Sequence, residues 1–259
     1  MVRFLPVNYK TKTMKNLRYI LFTLANLMIF FACQNKNEQK TEEVLDTIAH
    51  ASETVAQTET VAQYTEPVFP TSGKKASDFV PANYEIDMET EADLNQDGLG
   101  DVALVLINTK DTTALRPTLV LLNQGKGYKL YAKSFSAVEP KYREDGFQIY
   151  DYENIAIDSG KLVISMQATG PSGTIESTYA FIEGNLILTN ISTFNMGAGG
   201  QTEVKFDLLK GIYEKTDINT MKEDMPSTTT TKKYKIPKVL FKDSDPGEIM
   251  IKAYEKVGN

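Results

Sequence analysis

Much of this chain alternates apolar and polar side chains with a period of two. Tyr84, Ile86 and Met88 interleave with Glu85, Asp87 and Glu89, the pattern of a strand with one dry face and one wet, acidic face. Val102 to Ile107 is a continuous apolar run with β-branched residues and reads as a buried strand. Thr118 to Asn123 follows a polar loop containing Arg116-Pro117, and Gln124-Gly125-Lys126-Gly127 then turns the chain into Tyr128 to Phe135, a hairpin. Five more strands are predicted, at Ile149 to Asp158, Leu162 to Ala168, Ile175 to Ile182, Leu186 to Ile191 and Thr202 to Leu208. Asp158-Ser159-Gly160-Lys161 and Glu183-Gly184-Asn185 serve as turns between them. Short strands, close turns and hardly any helix predict an all-β domain, an antiparallel meander forming a sandwich or partial barrel.

The flanks carry other patterns. Lys15 and Arg18 precede an apolar run from Tyr19 to Phe31 that ends at Ala32-Cys33, the layout of an export signal over residues 1–32 and too short for a membrane span. Residues 33–76, rich in Glu, Thr, Gln and Ala, have too little apolar mass for a core and are expected to be a tether. The all-β domain is placed at 77–212, and residues 213–259 are expected to be irregular until a final helix. That helix announces itself with Asp245 as N-cap, Pro246 in the first position and Glu248 three residues after the cap. Ile249, Met250, Ala253, Tyr254 and Val257 give it one apolar face before Gly258.

Charge and residue counts narrow the chemistry. The chain has 28 basic and 34 acidic residues; residues 1–32 hold five of the basic ones and no acid, so their removal leaves 23 against 34, near −11. Such a balance argues against nucleic acid as a partner, which needs basic patches. The single histidine, His50, lies in the tether and the single cysteine is Cys33, so the domain lacks the residues for Ser-His-Asp or Cys-His catalysis and for a His/Cys zinc site. A pair of carboxylates could still perform glycoside chemistry, but no pair stands out and the absence of tryptophan weakens a sugar site. Two glycine-bearing loops, Thr169 to Gly173 and Asn195 to Gly200, would permit close backbone approach, but neither has the strand-to-helix context of a phosphate cradle, so both read as long hairpin loops.

One stretch does carry a chemical signal. Asp93-Leu94-Asn95-Gln96-Asp97-Gly98-Leu99-Gly100-Asp101 sets oxygen-bearing side chains at loop positions 1, 3, 5 and 9 with glycine at position 6, which suits a hard cation such as calcium. Asp93, Asn95 and Asp97 would supply side-chain oxygens, Leu99 its carbonyl, and Asp101 would ligate directly or through water. Position 12, where an EF-hand needs a bidentate glutamate, is Leu104 inside a strand, so the loop is not an EF-hand. Glu85, Asp87, Glu89 or Glu91 could add a ligand if the preceding strand folds back over the ion. Asp, Asn and Gly also build metal-free turns, but four oxygen side chains in register exceed what a turn needs.

A loop of this kind leading straight into a strand resembles the calcium loops of FG-GAP and VCBS-type repeats. With one copy present, a propeller built from such units is excluded. The wider stretch, with Asp78-Phe79-Val80-Pro81-Ala82-Asn83-Tyr84, then the loop, then Arg116-Pro117-Thr118-Leu119-Val120-Leu121-Leu122 and later Asp207-Leu208-Leu209-Lys210-Gly211, resembles a group of uncharacterised bacterial lipoproteins carrying one such loop. Phe30-Phe31-Ala32-Cys33 is similar to their lipobox, with Cys33 as the lipidated residue. The resemblance implies a calcium cofactor and an outer-membrane lipid anchor, and brings no activity with it. The expected function is a non-enzymatic binding or structural role in the cell envelope, with an envelope protein or glycan as partner; a carboxylate-based envelope hydrolase is the alternative.

Overall fold

In the computed structural model, described over residues 66–168 and 173–258, the apolar run becomes strand β3 (Asp101–Asn108), buried on both faces. Val102, Leu104 and Leu106 point to one side, Ala103 and Val105 to the other. Such a strand needs cover on both sides, and the rest of the chain supplies it. The expected export signal, Cys33, His50, the tether to residue 65 and loop residues 169–172 lie outside the described residues.

A five-stranded antiparallel sheet forms around β3, in the order β1 (Ser72–Gly73), β5 (Tyr128–Ser134), β4 (Thr118–Asn123), β3 and β2 (Tyr84–Ala92). A second sheet is a seven-stranded meander that curls into a half-barrel. It runs in chain order through β6 (Tyr150–Asp158), β7 (Lys161–Ala168), β8 (Thr174–Ile182), β9 (Asn185–Gly197), β10 (Gly200–Asp207), β11 (Ile212–Asn219) and β12 (Ser227–Lys233). The expected all-β meander is therefore the fold. The main core fills the space between the two sheets, with Ala103, Val105 and Val120 on one side and Ile164, Tyr179, Leu188 and Phe206 on the other.

The domain extends past 77–212 at both ends. Phe69 is buried and, with Phe79, covers the outer face of the smaller sheet over Leu104, Leu119 and Leu121. Ser72 and Gly73 pair with β5, so residues 66–76 belong to the fold and not to a tether. After Gly211 the expected irregular segment is instead a pair of strands, β11 and β12, registered from Ile212 opposite Lys233 to Ile218 opposite Ser227. The loop expected at Asn195 to Gly200 is mostly strand, with β9 and β10 pairing up to Gly197 opposite Gly200. Helix α1 (Pro246–Val257) begins as its capping signature predicts, Asp245 accepting the Glu248 amide, and buries Met250 and Ala253 in the main core.

Strand β2 changes phase partway along. Its pairing with β3 slips between Ile86 and Met88, leaving Asp87 as an extra, bulged residue. Tyr84 and Ile86 pack into the outer cluster, whereas Met88 and Ala92 pack into the main core. The expected acidic row Glu85, Asp87, Glu89 is thus broken, because the bulge takes Asp87 out of it.

Phe69 tests whether the N-terminal segment is part of the domain. Phe69→Ala should lower unfolding free energy by about 3 kcal/mol through the cavity it leaves, read from urea denaturation of the two proteins; an unchanged midpoint would return the segment to the tether.

Candidate functional site

The loop that joins β2 to β3 folds around its own acids. Gln96 and Gly98 adopt positive φ, at 62° and 89°, and glycine removes the steric penalty at the second of these. Asp93 accepts the Asp97 amide at 3.0 Å on Oδ1 and the Gly98 amide at 2.8 Å on Oδ2. Asn95 Oδ1 accepts the same Asp97 amide at 3.0 Å, while its Nδ2 donates to Asp97 Oδ2 at 2.9 Å. Asp97 Oδ1 in turn accepts the Leu99 amide at 2.9 Å. The side chains of Asp93, Asn95 and Asp97 are therefore brought together, as their spacing predicts.

Asp101 is placed differently. Its side chain is fully buried, with Oδ2 accepting the amides of Leu94 and Asn95 at 3.1 Å each and Oδ1 accepting that of Asn123 at 2.9 Å. Burial pushes its carboxyl above the usual range, and the charge of Asp97 adds to this; the three amides pull the other way. Asp101 therefore ties three backbone segments: the loop's start, β3 and the end of β4. The Asn123 side chain completes the tie by donating to the Gly100 carbonyl at 3.0 Å.

The loop also reaches into the joint between the sheets. Leu94 is buried in the main core, and the Gln96 side chain lies where a Cβ on Gly160 would sit, in the β6–β7 turn. A side chain there would displace Gln96, and the φ of 73° favours glycine on its own account. Of the acids on β2, exposed Glu91 comes nearest the loop, with Oε1 within 2.9 Å of a Cβ built on Gly100 and accepting the Tyr128 hydroxyl at 3.4 Å.

Do these residues suit calcium? Among the described residues, no three His, Cys, Asp or Glu side chains gather into a metal-binding group. A shell here would rest on Asp93 and Asp97 together with two neutral donors, the Asn95 amide oxygen and the Leu99 carbonyl. All are hard oxygens, which suits calcium. Each Asp93 and Asp97 carboxylate oxygen accepts one hydrogen bond, leaving lone pairs for a cation. The donor set fits, with Asp101 acting first as the buried tie.

A second polar centre escapes the sequence reading. The Arg116 side chain is fully buried and spends its guanidinium on three partners. Nε donates to the Glu139 carbonyl at 2.7 Å, Nη1 to Asp87 at 2.8 Å and to Glu153 at 2.9 Å, and Nη2 to Glu153 at 2.6 Å. Lys141 also pairs with Asp87. Burial, then the charge and hydrogen bond of Glu139, hold the Tyr150 phenol well above its ordinary range. The sequence offered an arginine beside a proline in a polar loop and acids spaced as a wet strand face; nothing local tells that they meet. Asp87, offered as a spare calcium ligand, is committed here instead.

Arg116→Ala would strand Glu153 as a buried, uncompensated charge and leave Asp87 to Lys141 alone, and should cost about 3–5 kcal/mol, measured by chemical denaturation. Lys238→Ala, which removes an exposed pair with Glu183, should leave the midpoint where it is. Equal effects would deny the Arg116 cluster its special role.

Compared with protein-family models, with curated proteins and with solved structures, the chain matches none of them.

Proposed function

We propose that the chain is an envelope lipoprotein, anchored through an acylated Cys33 and a tether, whose all-β domain is stabilised by calcium in the 93–101 loop and binds or scaffolds without catalysis. The observation that carries the reading is the convergence of Asp93, Asn95 and Asp97 within one turn whose backbone amides already orient their oxygens. The likeness of the loop to FG-GAP and VCBS-type calcium loops supports it, as does the position of Cys33 directly after an apolar run. Asp93, Asn95 and Asp97 would hold the ion by side-chain oxygens and Leu99 by its carbonyl. Bound calcium would neutralise the clustered carboxylates and cross-link the turn. Asp101 would fix the far end of the loop, and Leu94 would carry the stiffening into the core.

The hydrolase alternative needs two carboxylates free to exchange protons. Asp87 and Glu153 come together, but Arg116 binds both and both are almost wholly buried. Their task is electrostatic cohesion.

The test is a melting curve after EDTA treatment, then with about 10 mM Ca²⁺ or Mg²⁺. The cation would then be about ten- to a hundredfold above the dissociation constant of an extracellular-type site, stabilising by about 1.4–2.7 kcal/mol. The expected outcome is a rise of about 3–10 °C with Ca²⁺, a smaller one with Mg²⁺ and none in Asp97→Ala. Identical melting of wild type and variant under all three conditions would contradict the site.

A further inference from the structure

The edges of the two sheets are treated differently. β2 and β6 face each other across the joint, where Thr90 Oγ1 accepts the Ile157 amide at 3.2 Å, and β1 on the far side of the smaller sheet is only 2 residues long. Strand β12 is the exception. It runs for 7 residues in unbroken register with β11, contains no proline and ends the larger sheet with nothing paired to its outer side among the described residues. Natural sheets blunt such an edge with a bulge, a proline or a very short strand. β12 uses none of these, and its only charges, Lys232 and Lys233, sit together at one end.

The register says which groups this edge offers. The Asn219 amide donates to the Pro226 carbonyl and the Tyr234 amide to the Gly211 carbonyl, each at 2.9 Å, so the even-numbered residues between Pro226 and Tyr234 turn their backbone toward β11. Ser227, Thr229, Thr231 and Lys233 therefore turn their amides and carbonyls outward. An antiparallel strand satisfies them only if its own outward residues come opposite. β12 meets that condition with itself. Turned about a twofold axis at Thr230, Ser227 comes opposite Lys233 of a second copy and Thr229 opposite Thr231, and the two edges exchange about eight backbone hydrogen bonds.

Charge agrees with the same register. Lys232 of the second copy falls opposite Thr228, and Thr228 lies opposite the exposed Asp217 on β11, so lysine and aspartate share one row on one face. The two copies of Lys232 are set roughly 14 Å apart, beyond the screening length of physiological salt. The rows between them pair threonine with threonine, which suits a sheet.

We infer that β12 is a self-pairing edge, through which two copies of this chain join antiparallel about Thr230 and carry the larger sheet across a twofold dimer. Both faces of β12 are polar, so the contact rests on backbone hydrogen bonds and the rows of Lys232 and Asp217. It belongs with small, reversible interfaces. The edge shares no residue with the 93–101 loop, so it stands or falls independently of calcium.

The test is sedimentation velocity of the full chain from about 5 to about 500 µM, a range that brackets weak association, with Thr231→Pro beside it. Thr231 turns its amide outward, so proline there removes a donor to the second copy and none to β11. The expected result is a concentration-dependent dimer that Thr231→Pro weakens about thirtyfold, the worth of two neutral hydrogen bonds, with an unchanged melting temperature. Lys232→Glu and Asp217→Lys should each weaken the dimer, and the double variant should recover most of the loss. Amide exchange at Thr229 and Thr231 should slow with protein concentration more than exchange at Thr230, whose amide β11 already holds. A chain that stays monomeric throughout would overturn the inference and leave this edge to a strand of another protein. A dimer indifferent to Thr231→Pro, as association through the apolar run at 19–31 would be, would overturn it too, and so would Thr229 and Thr231 amides that exchange at one rate at every concentration.

Discussion

A guanidinium buried beyond the reach of water must find its counter-charges inside the protein, and Arg116 finds one on each sheet. Asp87 comes from β2 of the smaller sheet and Glu153 from β6 of the larger. Much of the architecture follows. Asp87 can turn inward because β2 bulges at that residue, and the bulge reverses the strand's phase. Upstream of it, Tyr84 and Ile86 face outward and join the cluster under Phe69 and Phe79; downstream, Met88 and Ala92 face the larger sheet, and Thr90 Oγ1 accepts the Ile157 amide at 3.2 Å. A buried ion cluster of this kind contributes less net stability than an apolar one would, but it penalises other pairings severely. Here any arrangement that parted β2 from β6 would leave at least one of these charges buried without its partner.

The phase set at Asp87 also delivers the end of β2 to the 93–101 loop. Leu94 enters the main core, Gln96 meets the β6–β7 turn at Gly160, and Asp101 ties the loop to Asn123. The acids are thus mounted where the two sheets join, not on a free hairpin tip. A cation held there would brace the joint itself, which is why a turn of nine residues could govern the stability of the whole domain.

Period-two patterns made the central strands legible. Thr118–Asn123 falls where it was expected, and α1 opens on the Asp245 cap, which accepts the Glu248 amide at 2.9 Å. The same rule failed where no face is buried. Strand β12, Ser227–Lys233, is exposed along almost its whole length at the open edge of the larger sheet. It has no apolar alternation to read, and only its run of β-branched threonines suits a strand. Phe69 was hidden as a lone aromatic in a polar stretch. Asp87 was misread for a deeper reason, since an acid between Glu85 and Glu89 looks solvated until a distant arginine and a bulge claim it. Within the loop, the gathering of Asp93, Asn95 and Asp97 was written in their spacing; the threefold commitment of Asp101 depends on Asn123, 22 residues away.

The measurement that bears most directly on the central claim is calorimetric titration of the calcium-stripped protein with Ca²⁺. The account predicts one ion per chain, with a dissociation constant of about 10⁻⁴–10⁻³ M, and no binding heat in Asp93→Asn. A titration indistinguishable from dilution, or one left intact by that substitution, would contradict it and leave the 93–101 loop as a self-capped turn.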